Sequence, residues 1–551
     1  MSRRKIFAGA TGVAVVLSGA VALTPAAASA ASSSPATSTS AATSTPTAAS
    51  TSAAVPTPPP IVWSACTSIA GAQCGFLTVP LDYSKPKGTK IKLAVSRVSH
   101  TVAANQYQGV MLVNPGGPGG SGLGLATLGK FVPNHVGDAY DWIGFDPRGV
   151  GSSVPALTCD PNYFRPDRPN YIPTSQSLVN TWLSITKKYA TQCGKAQPAL
   201  LQHVKTIDSA KDMESIRLAL GASKINYYGF SYGTYLGQVY STLYPTHVRR
   251  MVLDSNVDPR RVWYAANLDQ DVAFDRNINI WFGWLAKYDN VYHLGKTQKA
   301  VHDLWYSQLA ALTKKPAGGI IGPDEWTDAF LFAGYYQVTW TDLGSTFAAW
   351  IHNHDLNAVK AAYEDADGPG DDNGYAMYDA VQCSDVQWPQ SWAKWQKDNS
   401  AIYQKAPFET WANAWYNAPC LNWQAKPGTP VKINGSKVSG ALLIDETLDA
   451  ATPYTGSLEV RRLFPNSSLL ALPGGTSHAN SLDGDACEDN TIARYLANGT
   501  LPPRRAGNNT ADAFCAPLPQ PVPTTSSTAE APLQKTTGSA IPQRQPVLLH
   551  P

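Results

Sequence analysis

No Cys-x-x-Cys pair and no long run of lysine or arginine occurs in this 551-residue chain. The first absence argues against a zinc ribbon or a thioredoxin-like redox centre. The second, with 43 basic residues against 40 acidic ones, argues against nucleic acid as a partner. Beyond the N-terminal region no segment is apolar for long enough to span a bilayer, so no stable membrane association is expected. Aromatic residues are plentiful, with 16 Trp and 25 Tyr. They suggest large aromatic cores or surfaces.

The N terminus has the layout of a secretory signal over residues 1–30. Arg3, Arg4 and Lys5 supply the positive region, Ile6–Leu23 the apolar one, and Ala28-Ser29-Ala30 the cleavage site. The apolar stretch is rich in Gly and Ala, which speaks against a membrane anchor. A secreted, extracellular protein is expected. Export makes the 8 cysteines interpretable as four disulfides. Sequence alone does not determine their pairing. Joining neighbours, 66–74, 159–193, 383–420 and 487–515, is the simplest arrangement.

Residues 31–60 are almost entirely Ala, Ser, Thr and Pro, and read as a disordered linker. Residues 516–551 read as a Pro-rich disordered tail. Between them, short apolar runs alternate with amphipathic ones. Val110–Val113, Trp142–Phe145, Ile225–Tyr228, Met251–Leu253, Ala441–Ile444 and Leu469–Leu472 read as strands, and Asp208–Leu220 as a helix. This alternation predicts an α/β fold, a mostly parallel sheet with helices on both faces. The interval 256–435 breaks the rhythm. It reads as helical and holds 13 of the 16 tryptophans. We expect it to be a cap inserted over the C-terminal edge of the sheet, between core segments 61–255 and 436–515.

Gly229-Phe230-Ser231-Tyr232-Gly233 follows one of the strands and precedes a helix-like run. In a nucleophile elbow the turn is too tight for side chains two residues either side of the serine, so glycine is needed there. A catalytic serine needs a base, and the base needs an orienting carboxylate. In α/β-hydrolases the chain order is Ser, then Asp or Glu, then His. After Ser231, Asp449 sits in a loop just beyond a strand, with Asp445 and Glu446 as nearby rivals. His478 follows the last strand in a Gly-rich loop, and after Asp449 the only other histidine is His550 in the tail. Asn114-Pro-Gly-Gly-Pro-Gly-Gly-Ser-Gly122 directly follows a buried strand. Its glycines allow backbone N–H groups to approach a substrate carbonyl. Gly117 with Tyr232 is the preferred oxyanion pair, and Gly116 the alternative.

Other signals point away from metal. His352, His354 and Asp355 read as a solvated helix face, and Asp365–Asp372 as a loop without the twelfth-position glutamate of a calcium site. Asp254 reads as structural. No metal and no cofactor are expected.

Taken in order, Asn-Pro-Gly-Gly-Pro-Gly-Gly-Ser-Gly, Phe145-Asp-Pro-Arg-Gly-Val-Gly-Ser-Ser153, Tyr228-Gly-Phe-Ser-Tyr-Gly-Thr234, Asp449-x-x-Thr-Pro453 and a late loop histidine resemble the secreted bacterial tripeptidyl aminopeptidases. These are α/β-hydrolase serine exopeptidases related to prolyl aminopeptidases. The resemblance covers about 61–515. It implies a capped α/β-hydrolase with Ser231, Asp449 and His478 as its triad, acting on peptide or protein substrates. A carboxylesterase or small-amide hydrolase is the alternative on the same fold, because fold and triad do not define substrate. An exopeptidase needs a carboxylate to receive the cationic α-amine. Asp385 is our candidate, since Cys383 could pin its backbone and Ala380-Val-Gln-Cys-Ser-Asp385 resembles a family pattern. Capping a helix or turn is the other role open to it.

Overall fold

Apolar runs flanked by glycine form the spine of the molecule. The computed structural model describes residues 55–166, 168–370 and 372–524. The signal, most of the linker and residues 525–551 lie outside the described residues. Ten strands form one sheet: β1 (Ser64–Ala65), β2 (Gln73–Pro80), β3 (Lys90–Val98), β4 (Val110–Asn114), β5 (Asp141–Phe145), β6 (Ile225–Phe230), β7 (Val248–Asp254), β8 (Ala441–Glu446), β9 (Ser467–Leu472) and β10 (Ala513–Phe514). Their spatial order is β1-β2-β3-β5-β4-β6-β7-β8-β9-β10. β5 through β10 run parallel, while β1 to β3 form an antiparallel edge.

Both faces of this sheet are covered. Leu112, Tyr227, Leu253, Leu443 and Leu469 pack on one side with Met213, Ile216, Leu236 and Val460. Their chain neighbours Met111, Tyr228, Val252, Leu442 and Leu470 pack on the other with Leu125, Leu128, Ile492 and Leu496. A strand buried on both faces has no polar alternation, which explains its continuous apolar run. The antiparallel edge was not among the expected strands. Its signal was present, because Ile91, Leu93 and Val95 alternate along β3.

Between β7 and β8 the named elements are helices only, the longest being Tyr264–Lys287. Much of this insertion has its own aromatic core around Trp281, Trp305, Trp326, Trp340 and Phe347. The helix Asn373–Asp385 instead packs Ala376, Met377 and Ala380 into the core beneath the sheet. The insertion is therefore anchored to the sheet as well as to itself. The cysteines pair as sequence neighbours: Cys66–Cys74, Cys159–Cys193, Cys383–Cys420 and Cys487–Cys515. Among the described residues no helix is long and apolar enough to cross a membrane.

Residues 55–60 and 516–524, expected to be disordered from their composition, are placed against the fold. Val55 already packs against the core. At the other end, Leu518 O accepts a hydrogen bond from Gln337 Nε2 at 2.9 Å, and Pro521 O one from Trp284 Nε1 at 3.0 Å. Proline-rich composition suggests disorder because such a strand makes few bonds of its own. Here the helical insertion supplies the donors.

The Asp146-Pro-Arg-Gly motif after β5 is architectural. Asp146 accepts from Ser121 Oγ at 2.5 Å and Gly122 N at 3.2 Å, so it holds the glycine-rich loop after β4. Arg148 is fully buried and forms two 2.7 Å hydrogen bonds to Asp212 of the helix Thr206–Ala219. Removing one member of such a pair strands the other as an uncompensated buried charge. Arg148→Met should therefore destabilise the fold by about 3–5 kcal/mol in urea titrations. Adding Asp212→Leu should restore most of that loss, and a single-variant cost under about 1 kcal/mol would contradict this reading.

Candidate active site

β4 and β6 are adjacent, yet the chain leaves β4 in one direction to β5 and later returns on the other side as β6. Such a switch point opens a crevice at the C-terminal ends of the strands. Two loops meet there. The first carries Ser231, whose backbone sits at φ 55°, ψ −127°. This left-handed conformation is strained for a residue with a side chain and clusters at functional sites. A Cβ on Gly229 would lie 2.6 Å from Gly233 O, and a Cβ on Gly233 would lie 2.7 Å from Asn114 O. Neither position can carry a side chain, as the motif required. The strain is braced on three sides. Ser231 N donates to Asp254 O at 3.1 Å, and Thr234 Oγ1 donates to Ser231 O at 2.6 Å. The helix Tyr232–Leu243 starts at the next residue.

The second loop is the glycine run after β4. A Cβ on Gly116 would lie 2.8 Å from the Ser231 Cβ and 3.0 Å from Tyr232 N. This close approach brings Gly117 and Tyr232 to the wall of the same cleft as Ser231 and His478. Gly116 N already donates to Asn114 Oδ1 at 3.1 Å, which favours Gly117 over Gly116 as the free donor.

His478 Nδ1 lies 2.8 Å from Asp449 Oδ2, and both residues are buried. The Asp-x-x-Thr-Pro motif has a plain geometric meaning. Thr452 N donates to Asp449 Oδ1 at 3.0 Å and Thr452 Oγ1 to Asp449 Oδ2 at 2.9 Å. Burial raises the Asp449 carboxyl, but the facing His478, Thr452 and Ser255 together hold it below the usual carboxylate range. The rivals have other partners. Asp445 accepts from Ser457 Oγ at 2.6 Å. Glu446 accepts from Ser477 N at 2.5 Å and is pushed up to about 8 by burial.

Sequence reasoning missed the residues that hold the imidazole loop in place. Tyr335 O accepts from His478 N at 2.9 Å, and the two rings meet edge to face with centroids 5.9 Å apart. Asn277 Nδ2 donates to Leu448 O at 2.9 Å, Gly334 O at 3.1 Å and Thr476 O at 3.3 Å, joining three loops. Ser255 Oγ accepts from Ala479 N at 2.7 Å, and Asp254, expected to be structural, accepts at Oδ2 from Ser481 N at 3.0 Å. Thr452 was visible in the motif. Asn277 had no local signal, since it lies in mid-helix and its partners are distant in sequence.

The cleft encloses about 1270 Å³ including its open mouth. Tyr171, Tyr335, Tyr378 and Tyr416 line it, whereas Trp263 is the one lining tryptophan among the described residues. The insertion's tryptophans thus mostly pack into cores, while its other side chains supply much of the cleft wall.

Comparison with known proteins agrees with this fold. Residues 109–337 match the family described as alpha/beta hydrolase fold, and residues 406–532 the one described as TAP-like protein. A tripeptidyl aminopeptidase of Streptomyces coelicolor is 41% identical over 462 residues, covering 82% of this chain and 84% of the relative. The chain belongs to the tripeptidyl aminopeptidase family. It is a serine hydrolase of the α/β-hydrolase fold. Serine protease Hip1 of Mycobacterium tuberculosis is 31% identical over 478 residues, covering 81% of this chain and 90% of the relative. Carboxylesterase B of the same species is 31% identical over 469 residues, covering 80% and 88%.

One expected site residue of this family member stands elsewhere. Asp385 is not among the residues lining the cleft. Its carboxylate accepts from Thr206 N at 2.7 Å, Thr206 Oγ1 at 2.6 Å and Trp263 Nε1 at 3.1 Å. It caps the N-terminal turn of the helix Thr206–Ala219, the other role open to it. Burial lifts its carboxyl to about 6. The folded chain therefore holds a proton there that the unfolded chain, titrating near 3.9, has lost, and its contribution to stability falls as pH rises from about 4 to 6. Asp385→Asn should flatten that segment of the stability–pH curve. Because the amide cannot accept from all three donors, it should also cost about 1–3 kcal/mol at pH 7 in chemical denaturation. KM for free-amine peptides should stay within about twofold, and a larger rise without loss of stability would return Asp385 to the substrate site.

Proposed function

We propose that this chain is a secreted serine exopeptidase that releases tripeptides, or peptides of similar length, from free N termini through an acyl-enzyme. The observation that carries this reading is the Asp449–His478 pair opening onto the cleft that Ser231 also lines. His478 takes the proton of Ser231, whose Oγ attacks the scissile carbonyl. Asp449 holds the imidazole tautomer and stabilises the imidazolium. The N–H groups of Gly117 and Tyr232 receive the oxyanion, the latter aided by the helix N terminus behind it. His478 then protonates the departing amine, and a water deprotonated by His478 releases the acyl group. This chemistry calls for no cofactor.

The relatives named tripeptidyl aminopeptidase support the substrate class. The four disulfides support export, since such bonds persist in oxidising compartments. A second reading, a carboxylesterase on the same scaffold, is favoured by the relative named Carboxylesterase B.

Ser231→Ala should lower turnover of a tripeptidyl arylamide by on the order of 10⁴-fold or more, and a fluorophosphonate should label Ser231 in the wild type. Labelling of another serine would remove the mechanism. Asp449→Asn should cost roughly 10⁴-fold in kcat, while Asp445→Asn should retain most activity. The reverse pattern would reassign the acid. Comparing free-amine tripeptidyl arylamides with simple acyl esters separates the two readings: the exopeptidase should show the higher kcat/KM on the former, and the esterase on the latter.

A further inference from the structure

Among the described residues four carboxylates line the cleft, and three of them have partners. Asp258 pairs with Arg260 at 2.6 Å, Asp269 with Arg261 at 2.6 Å, and Asp328 with Arg168 at 2.5 Å. The fourth is Glu409, at the start of the helix Thr410–Asn417. It is only 7% exposed, yet among the described residues no cation pairs with its carboxylate and no donor reaches it. The charges that act on it are themselves carboxylates, Asp271, Asp328 and Asp275. A buried acid among acids is unfavourable unless something neutralises it.

We propose that Glu409 is the receptor for the substrate's N-terminal ammonium group. This proposal rests on the exopeptidase reading above. The space before Glu409 is continuous with Ser231 and His478, because all three line one cleft. Tyr335 stands at both ends of the relation: its ring meets that of His478, and its hydroxyl feels the charge of Glu409. A peptide whose scissile carbonyl lies at Ser231 can thus extend its N terminus along Tyr335 toward Glu409. Asp328 lines the same end, with its charge already shared with Arg168 and the Tyr171 hydroxyl at 3.0 Å. It reinforces a negative potential without being free to make a direct bond.

The chemistry selects the ligand class. An ammonium supplies three donors and one positive charge to a carboxylate that has neither. A neutral N-acyl group supplies no charge and adds bulk. Burial and the neighbouring carboxylates push Glu409 well above the usual carboxylate range. An incoming ammonium offsets that penalty by favouring the ionised form. An uncharged acyl ester has no group that needs it.

The test compares three substrates on the full chain: a free-amine tripeptidyl arylamide, its N-acetyl counterpart, and p-nitrophenyl acetate. Wild type should prefer the free amine. Glu409→Gln should lower kcat/KM for the free-amine substrate by about 10–100-fold, mostly through KM, as for loss of a hydrogen bond to a charged group. It should leave the N-acetyl peptide and the ester within about twofold of wild type. Glu409→Asp, which keeps the charge on a shorter arm, should retain the preference at reduced affinity. Thermal unfolding supplies an independent readout. A carboxylate that merely holds the fold together would lose stability on becoming an amide, whereas Glu409→Gln should match or exceed wild type. If wild type discriminates and Glu409→Gln still does, Glu409 is not the receptor and the exopeptidase reading stands. If wild type cleaves both peptides equally, the exopeptidase reading fails and the receptor role falls with it.

Discussion

The close approach of the β4 loop to the turn after β6 is the constraint on which the rest of this structure depends. Side chains are excluded from Gly116, Gly229 and Gly233 because backbone atoms or the Ser231 Cβ occupy the space. In return, a strained serine, a helix N terminus and a row of backbone donors converge at one point. The sheet order makes this possible. β4 and β6 are neighbours with Asn114 opposite Gly229, so the two loops leave the sheet side by side. Asp146 then pins the far end of the glycine loop through Ser121 and Gly122. The Asp-Pro-Arg-Gly segment therefore serves the site without lining it.

The helical insertion does more than cover the cleft. Asn277 and Arg276 bind carbonyls on the Asp449 loop, and Tyr335 binds the backbone of His478. An acid and a base carried on two separate loops after β8 and β9 have no local reason to stay in register. A rigid helix that bonds to both supplies one. The segment 516–524 adds a further tie. It leaves β10, which Cys515 secures to Cys487, and bonds to Gln337 and Trp284 of the insertion. The cover and the loops that carry Asp449 and His478 thus form one mechanical unit.

Carboxylates are unusually concentrated behind the imidazole. Asp254, Asp445, Glu446, Asp449 and Glu488 are all buried within reach of one another's charge. Burial raises four of them, and only Asp449, facing His478, is held low. The environment divides similar groups into one anion for the imidazole and several acceptors that order its loop. This is the pattern by which acid and base roles are separated on one scaffold.

The sequence by itself determined everything that depends on neighbours along the chain. Two-faced burial makes strands readable as unbroken apolar runs, elbow sterics demand glycine at fixed offsets, and chain order narrows the acid and base to a few loop residues. Cysteines close in sequence also meet in space, because each pair closes a short loop. Only the tertiary structure decided which of Asp445, Glu446 and Asp449 faces the imidazole, since a few residues of loop turn each side chain toward a different partner. It likewise decided that Asp385 caps a helix while Glu409 opens onto the cleft. Both are acids beside helical segments, with nothing local to separate them. The difference is whether a donor from another part of the chain arrives at the carboxylate: Thr206 and Trp263 reach Asp385, and nothing reaches Glu409 among the described residues.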